Sequence, residues 1–376
     1  MDSFLQRRRW LIVLLWIVIV AAIIAAPVVL PEFRLKLLGR YLSLGIVALG
    51  IDLIWGFTGM LSLGQGIFFA LGGYAAAMYL QINSSADFPG GIPEFFSLYG
   101  VQNLPFFWEP FRSPLFTLIA IWLVPALVAG MLGYLVFRNR IKGVYFSILT
   151  QAALLVFFNF FNGQQKLING TNGLKTDVTS LFGMEMGSPE MQRILFWFTA
   201  LLVIFAWFFT RWIVRGRFGD VLIAIRDDEP RIRFTGFNPT IFKTIVFAIA
   251  GGLAGISGAL YTVQSGIVSP QYMEVPFSIE MVIWVAVGGR GTLLGAILGA
   301  LVINYSSSLV SEVFPDGTWL FIQGGLFILV VTALPEGVLG WFLKGGPRNL
   351  LVRFGLARRL STYPSLELEP QEDVKL

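Results

Sequence analysis

LLGRYLSLGIVALGIDLIWGFTGMLSLGQG, residues 37–66, decides the fold. Its first twenty residues are almost continuously apolar, and the remainder is dense in glycine. At 1.5 Å rise per residue, such a run matches a hydrocarbon core about 30 Å thick, so 37–56 is predicted to be a transmembrane helix. Similar runs recur along the chain. Together, segments near 10–30, 37–56, 60–82, 113–137, 143–162, 193–214, 241–264, 276–288, 291–311 and 318–340 predict an all-α, polytopic helical bundle with ten spans. The segment 276–288 is the doubtful crossing, because without its flanks it is too short. The run 10–30 follows the basic triplet 7–9 and exceeds a typical signal-peptide apolar region, so it is expected to remain as the first span.

Composition agrees. Of 376 residues, 56% are hydrophobic and 13% charged, against about 25% charged in soluble domains. The chain has no cysteine and no histidine. Disulfides, zinc–thiolate centres, cysteine nucleophiles and histidine acid–base chemistry are thereby excluded, and no metal site is expected. The net charge of +5 does not indicate nucleic acid. Most of the Lys and Arg fall at 7–9, 138–142, 211–243, 290 and beyond 343, which places those segments on the cytoplasmic face with both termini. Three regions are expected: 1–36 with the first span, an apolar multi-span core at 37–340 that includes the charged stretch 215–240, and a polar tail at 341–376.

Glycine clusters at 56–66, 72–73, 251–258 and 288–299. Small residues let helices approach closely in lipid. The same clusters read as interrupted helices, which persist at membrane depth only where backbone is buried in protein or lines a water-filled path. Polar residues inside or beside the spans are few: Asp52, Thr58, Ser62, Gln65, Gln151, Asn159, Glu280 and Asn304. Asp52 is expected to make a helix-to-helix hydrogen bond near the cytoplasmic end, and Glu280 to lie at the outer interface. Residues 215–240 interrupt the apolar pattern with charges of both signs. Val221, Leu222 and Ile225 share one helical face, so an amphipathic helix with a docking face for a partner is predicted there. No Gly-x-x-x-x-Gly-Lys-Ser/Thr occurs, so any ATP would be bound by other subunits and the chain itself carries no cofactor.

The stretch 50–66 resembles the hallmark of permeases of the branched-chain amino acid type of ABC importer. So do RIKGVYFSI at 140–148, GTNGL at 170–174, AIRD at 224–227 and SIEMVIWVAVGGRGT at 278–292. The last run favours the urea branch, as its second membrane subunit, and the resemblance covers about 40–340. It implies a bacterial inner-membrane importer in which two different permeases pair, two cytoplasmic ATPase subunits dock beneath, and a periplasmic binding protein delivers cargo. Thr58, Ser62, Gln65, Asn172, Glu280 and Trp284 are the implied path residues. Val221, Leu222, Ile225, Arg226, Asp228, Glu229 and Gly236 are the implied coupling residues. The usual coupling signature, Glu-Ala-Ala followed by glycine, is degenerate here: Glu229-Pro230-Arg231 stands near Gly236. Urea or a short-chain amide is the first expected cargo. A branched-chain amino acid permease and a standalone channel or secondary transporter are the alternatives. An intramembrane enzyme fits least, because no catalytic cluster stands out in the sequence.

Overall fold

The computed structural model describes residues 23, 25–84, 92–181, 183–315, 317–334 and 337–343. Most of the expected first span, and the tail beyond 343, lie outside the described residues. Among the described residues, eleven longer helices carry the fold: α1 (Glu32–Thr58), α2 (Gln65–Asn83), α3 (Pro114–Arg138), α4 (Val144–Gly163), α5 (Pro189–Arg215), α6 (Arg217–Phe234), α7 (Pro239–Ser265), α8 (Val275–Gly288), α9 (Leu293–Val313), α10 (Thr318–Ala333) and α11 (Gly337–Leu343). Short helical turns at Glu94–Leu98, Glu109–Arg112, Gln165–Ile168, Gly170–Asn172 and Pro270–Met273 fill the connections.

The helix starts follow local chemistry. Ser113, Ser188 and Asn238 each accept a hydrogen bond from a backbone N–H of the first turn, and a proline at the next position supplies the helical φ without wasting a donor. Helices α1 and α7 form the centre: 83% and 72% of their most apolar windows are buried, against 22% for α4, which marks α4 as peripheral. Helix α7 packs on α1, α2 and α3, and α1 also packs on α5 and α9. Small residues permit this. The glycines at 251, 255 and 258 meet Ala129, the Ile121 carbonyl and the Phe69 carbonyl with no space for a side chain between them.

Six helices, α1, α3, α4, α5, α7 and α9, are long and apolar enough to cross a bilayer. The expected count of ten is not reached on those criteria among the described residues. The span expected at 60–82 is helical only from Gln65, because 59–64 is non-helical. Helix α8 has 14 residues, or about 21 Å, short of a hydrocarbon core. The span expected at 318–340 ends at Ala333, with α11 as a separate piece.

At one end of the bundle a two-residue ladder joins β1 (Leu174–Lys175) antiparallel to β4 (Ile267–Val268), and β2 (Ser180–Leu181) pairs with β3 (Met184–Glu185) beside it. At the other end, the basic loop at 138–142, helix α6 and the turn between α8 and α9 come together through Lys142, Arg226 and Gly291.

Candidate functional site

Two breaks in the helices meet inside the bundle. The first is 59–64. Here Leu63 N–H donates to Thr150 Oγ1 at 3.0 Å, and Ser147 Oγ donates to the Leu61 carbonyl at 2.6 Å, so α4 satisfies the unwound backbone. The second lies between α7 and α8, where β4 and the turn at Pro270–Met273 replace helix. That turn packs against α2 and α4. The breaks join where Gly66 N–H donates to Ser278 Oγ at 3.2 Å. Position 66 admits only glycine, since an added Cβ would lie 2.5 Å from the Tyr272 carbonyl oxygen and 2.8 Å from Ser278 Oγ. Beside it, Gln65 is 1% exposed, and neither its amide oxygen nor its amide nitrogen has a partner. A carboxamide buried without partners costs roughly 1–3 kcal/mol, which folding alone gives no reason to retain.

An aromatic cluster covers this junction. Phe69, Tyr261, Tyr272 and Phe277 stand 5.2–5.8 Å apart, and Trp284 follows at 6.2 Å from Phe277. Arg40 lies over the Tyr261 ring at 5.2 Å and donates from Nη2 to its hydroxyl at 2.9 Å.

The opposite end is ion-paired. Glu229 is 8% exposed and accepts from Lys142 at 3.1 Å, Arg233 at 2.8 Å and Lys243 at 2.6 Å. Burial would raise its carboxyl pKa, but the hydrogen bonds from Lys243, Arg233 and Lys142 outweigh it and hold the group down at about 2. The backbone kinks at Asp228, with Pro230 following inside α6. Arg226 Nη1 donates to the Gly56 carbonyl at 2.9 Å, tying α6 to the last turns of α1. One turn earlier, Asp52 Oδ1 accepts from Gly291 N–H at 2.6 Å, and Arg290 lies over the Trp55 ring at 5.2 Å. The same stretch of α1 thus holds both α6 and the α8–α9 turn. Asp52→Ala is expected to lower stability by about 2 kcal/mol, because Gly291 loses its acceptor. Asp52→Asn keeps that acceptor and should lose less than about 1 kcal/mol. Thermal unfolding of the detergent-solubilised variants checks the pair, and equal losses would refute the assignment.

The expected path residues separate into groups. Gln65, Ser62 and Trp284 are buried around the junction and its aromatic cover. Thr58 instead borders a cleft of about 330 Å³ at the ion-paired end, together with Ile225, Arg226, Asp228 and Glu229. Glu280, half-buried on α8, lies beside Gln323 of α10. Asn172 is exposed in the turn that leads to β1, while Gly173 beside it packs against Val268 and Ser269.

The docking face expected on α6 needs correction. Leu222 is 0% and Ile225 3% exposed, both turned onto this chain's own helices, and Val221 is half-buried. An apolar stripe records that a face is covered, not by what. The outward groups include Arg226, Asp227, Asp228, Arg231 and Phe234, with Gly236 exposed at φ +90° after the helix end. Arg40 is not among the path residues expected from the sequence, although a single arginine inside the apolar run 37–56 is a usable signal.

Buried crossing helices, two broken segments meeting among them and an ion-paired helix at one end describe a membrane transport subunit. The chain belongs to the family of branched-chain amino acid transport system permease components, which it matches over residues 33–331. It is 27% identical over 315 residues to the high-affinity branched-chain amino acid transport system permease protein LivM of Salmonella typhimurium, a match covering 78% of this chain and 67% of that protein. It is 23% identical over 310 residues to the permease BraD of Pseudomonas aeruginosa, covering 78% and 91%. Over 239 residues it is 23% identical to the ribose import permease protein RbsC of Haemophilus influenzae, covering 60% and 70%. No solved structure matches the chain significantly.

Proposed function

We propose that the chain is one of two permease subunits in a binding-protein-dependent ABC importer of the bacterial inner membrane, carrying a small solute of no net charge. The observation that carries this reading is the unpartnered carboxamide of Gln65, enclosed where two broken helices meet. A donor and an acceptor side by side serve a cargo that exchanges hydrogen bonds, and a neutral one needs no buried counter-charge. In this reading the described core moves cargo, α6 receives the push of two separate ATPase subunits that bind ATP, and the ion-paired end is cytoplasmic, a side that the concentration of Lys and Arg there supports.

Two cargoes meet this description. Branched-chain amino acids are supported by the names of the relatives LivM and BraD. Urea or a short amide is supported by the likeness of 278–292 to the urea branch. The test is uptake by the whole importer, reconstituted with its binding protein, of labelled leucine against labelled urea. Gln65→Leu is expected to cut uptake of the true cargo about tenfold or more while the complex still assembles, because the hydrogen-bonding pair is lost. Wild-type uptake by that variant would remove Gln65 from the path. Transport by this chain alone in liposomes would favour a standalone carrier instead.

A further inference from the structure

Arg40 stands about two turns into α1, within the stretch long and apolar enough to cross the membrane. An ionised group there is expensive unless something answers its charge. Among the described residues no carboxylate pairs with it. One nitrogen is used by the Tyr261 hydroxyl, and Nε is buried with no acceptor. Simple snorkelling would put the guanidinium nitrogens into water, whereas here Nε is enclosed and the group is fixed on a tyrosine ring.

Its surroundings lead to the junction. Tyr261 packs on Tyr272 at 5.4 Å and on Phe69 at 5.5 Å. The Tyr272 carbonyl faces Gly66, the neighbour of Gln65. The Tyr74 hydroxyl, on the same helix as Gln65, is buried and also without a partner. Arg40 Nε and the Gln65 amide nitrogen are thus two buried donors without an acceptor.

We infer that Arg40, positioned by Tyr261, binds an acceptor oxygen of the cargo before it reaches Gln65: the carboxylate of an amino acid or the carbonyl of urea. The inference rests on the importer reading above. A guanidinium presents parallel N–H groups that match both oxygens of a carboxylate, and it can also grip a single carbonyl oxygen. Lysine keeps the charge and loses the planar fork, so it substitutes poorly at such a site.

The test is uptake kinetics of the complete importer in proteoliposomes, with labelled leucine and labelled urea, for wild type, Arg40→Gln and Arg40→Lys. For a carboxylate cargo, Arg40→Gln should raise KM about tenfold or more, and Arg40→Lys should fall between it and wild type. For urea the rise should be about fivefold, and Arg40→Lys should match Arg40→Gln, since the fork rather than the charge is lost. A KM that stays at the wild-type value, with only the maximal rate reduced, would overturn the site and leave Arg40 a structural residue. If Arg40→Gln fails to assemble, Arg40→Lys decides alone, and an unchanged KM there overturns the site equally. Wild-type importer that moves neither solute would overturn the importer reading and this site with it, which separates the two failures.

Discussion

Gly258→Ala should break the bundle. The Cβ it adds would sit 1.8 Å from the carbonyl oxygen of Phe69, and the opposing contact is as close, with Gly72 only 2.0 Å from the Gly255 carbonyl oxygen by the same measure. Both obstacles are backbone, so no side chain can rotate away. Helices α2 and α7 would have to part by more than an ångström, and α7 is the helix on which α1, α2 and α3 converge. Overpacking in a close-packed interior usually costs about 1–3 kcal/mol. A backbone obstruction on the central helix belongs at or above the upper end, about 3 kcal/mol. Gly324→Ala is the control. Its added methyl meets nothing within 4 Å, and alanine is the better helix former by up to about 1 kcal/mol. Monodisperse yield and melting temperature in detergent should therefore fall sharply for Gly258→Ala and hold or rise for Gly324→Ala. A wild-type melt for Gly258→Ala would mean that α2 and α7 do not touch.

The contrast between those glycines explains what the sequence revealed and what it hid. Helices α1, α3, α4, α5, α7 and α9 were legible because hydrocarbon thickness sets their length, and length and apolarity are local properties. The shortness of α8 was legible too, from the brevity of the apolar run 276–288, whereas the start of α2 at Gln65 and its meeting with α8 were not. The stretch 61–66 is held by Thr150, Ser147 and Ser278, which lie 86 to 212 residues away along the chain. The stripe of Leu222 and Ile225 was visible, yet its cover comes from the same chain and not from a partner. Asn172 sat in the right sequence stretch but faces outward, while its neighbouring glycine took the packed position. Asp52 came out close to expectation, since a buried carboxylate near a helix end has few ways to be satisfied, and Gly291 N–H is one of them. Gln65 was legible as a polar residue among glycines; only the fold reveals that its amide is left without a partner.

Removing the Glu229 carboxylate should loosen α6 from the basic loop at 138–142 and from α7. Lys142, Arg233 and Lys243 would be left as three like charges with Lys243 only 5% exposed. Breaking a buried pair costs about 3–5 kcal/mol, and because Lys142 and Arg233 are partly solvated the low end applies to Glu229→Ala. Changing Lys243 as well, in Glu229→Ala with Lys243→Met, removes the stranded cation and should restore part of the loss, giving a favourable coupling in a double-mutant cycle. The pH dependence carries a defined sign. Glu229 has its folded pKa depressed from 4.5 to about 2. Its contribution is therefore complete above about pH 5 and disappears as the pH falls from about 4.5 toward about 2. At pH 3.5 the wild type should have lost about 1 kcal/mol from this group relative to pH 7, and the Glu229→Ala protein none of it. Unfolding measured at both pH values tests this, and parallel losses in the two proteins would show that Glu229 titrates normally. The consequence for transport follows from the position of the cluster. Arg226 on α6 holds the Gly56 carbonyl of α1, and α1 holds the α8–α9 turn through Asp52. On the proposed reading, a push on α6 would reach α8, and through Ser278 the junction at Gly66, while Glu229 anchors α6 to α7. In the reconstituted importer, Glu229→Ala should thus lower solute moved per ATP hydrolysed about tenfold, and an unchanged ratio would mean that the motor's motion enters the chain elsewhere.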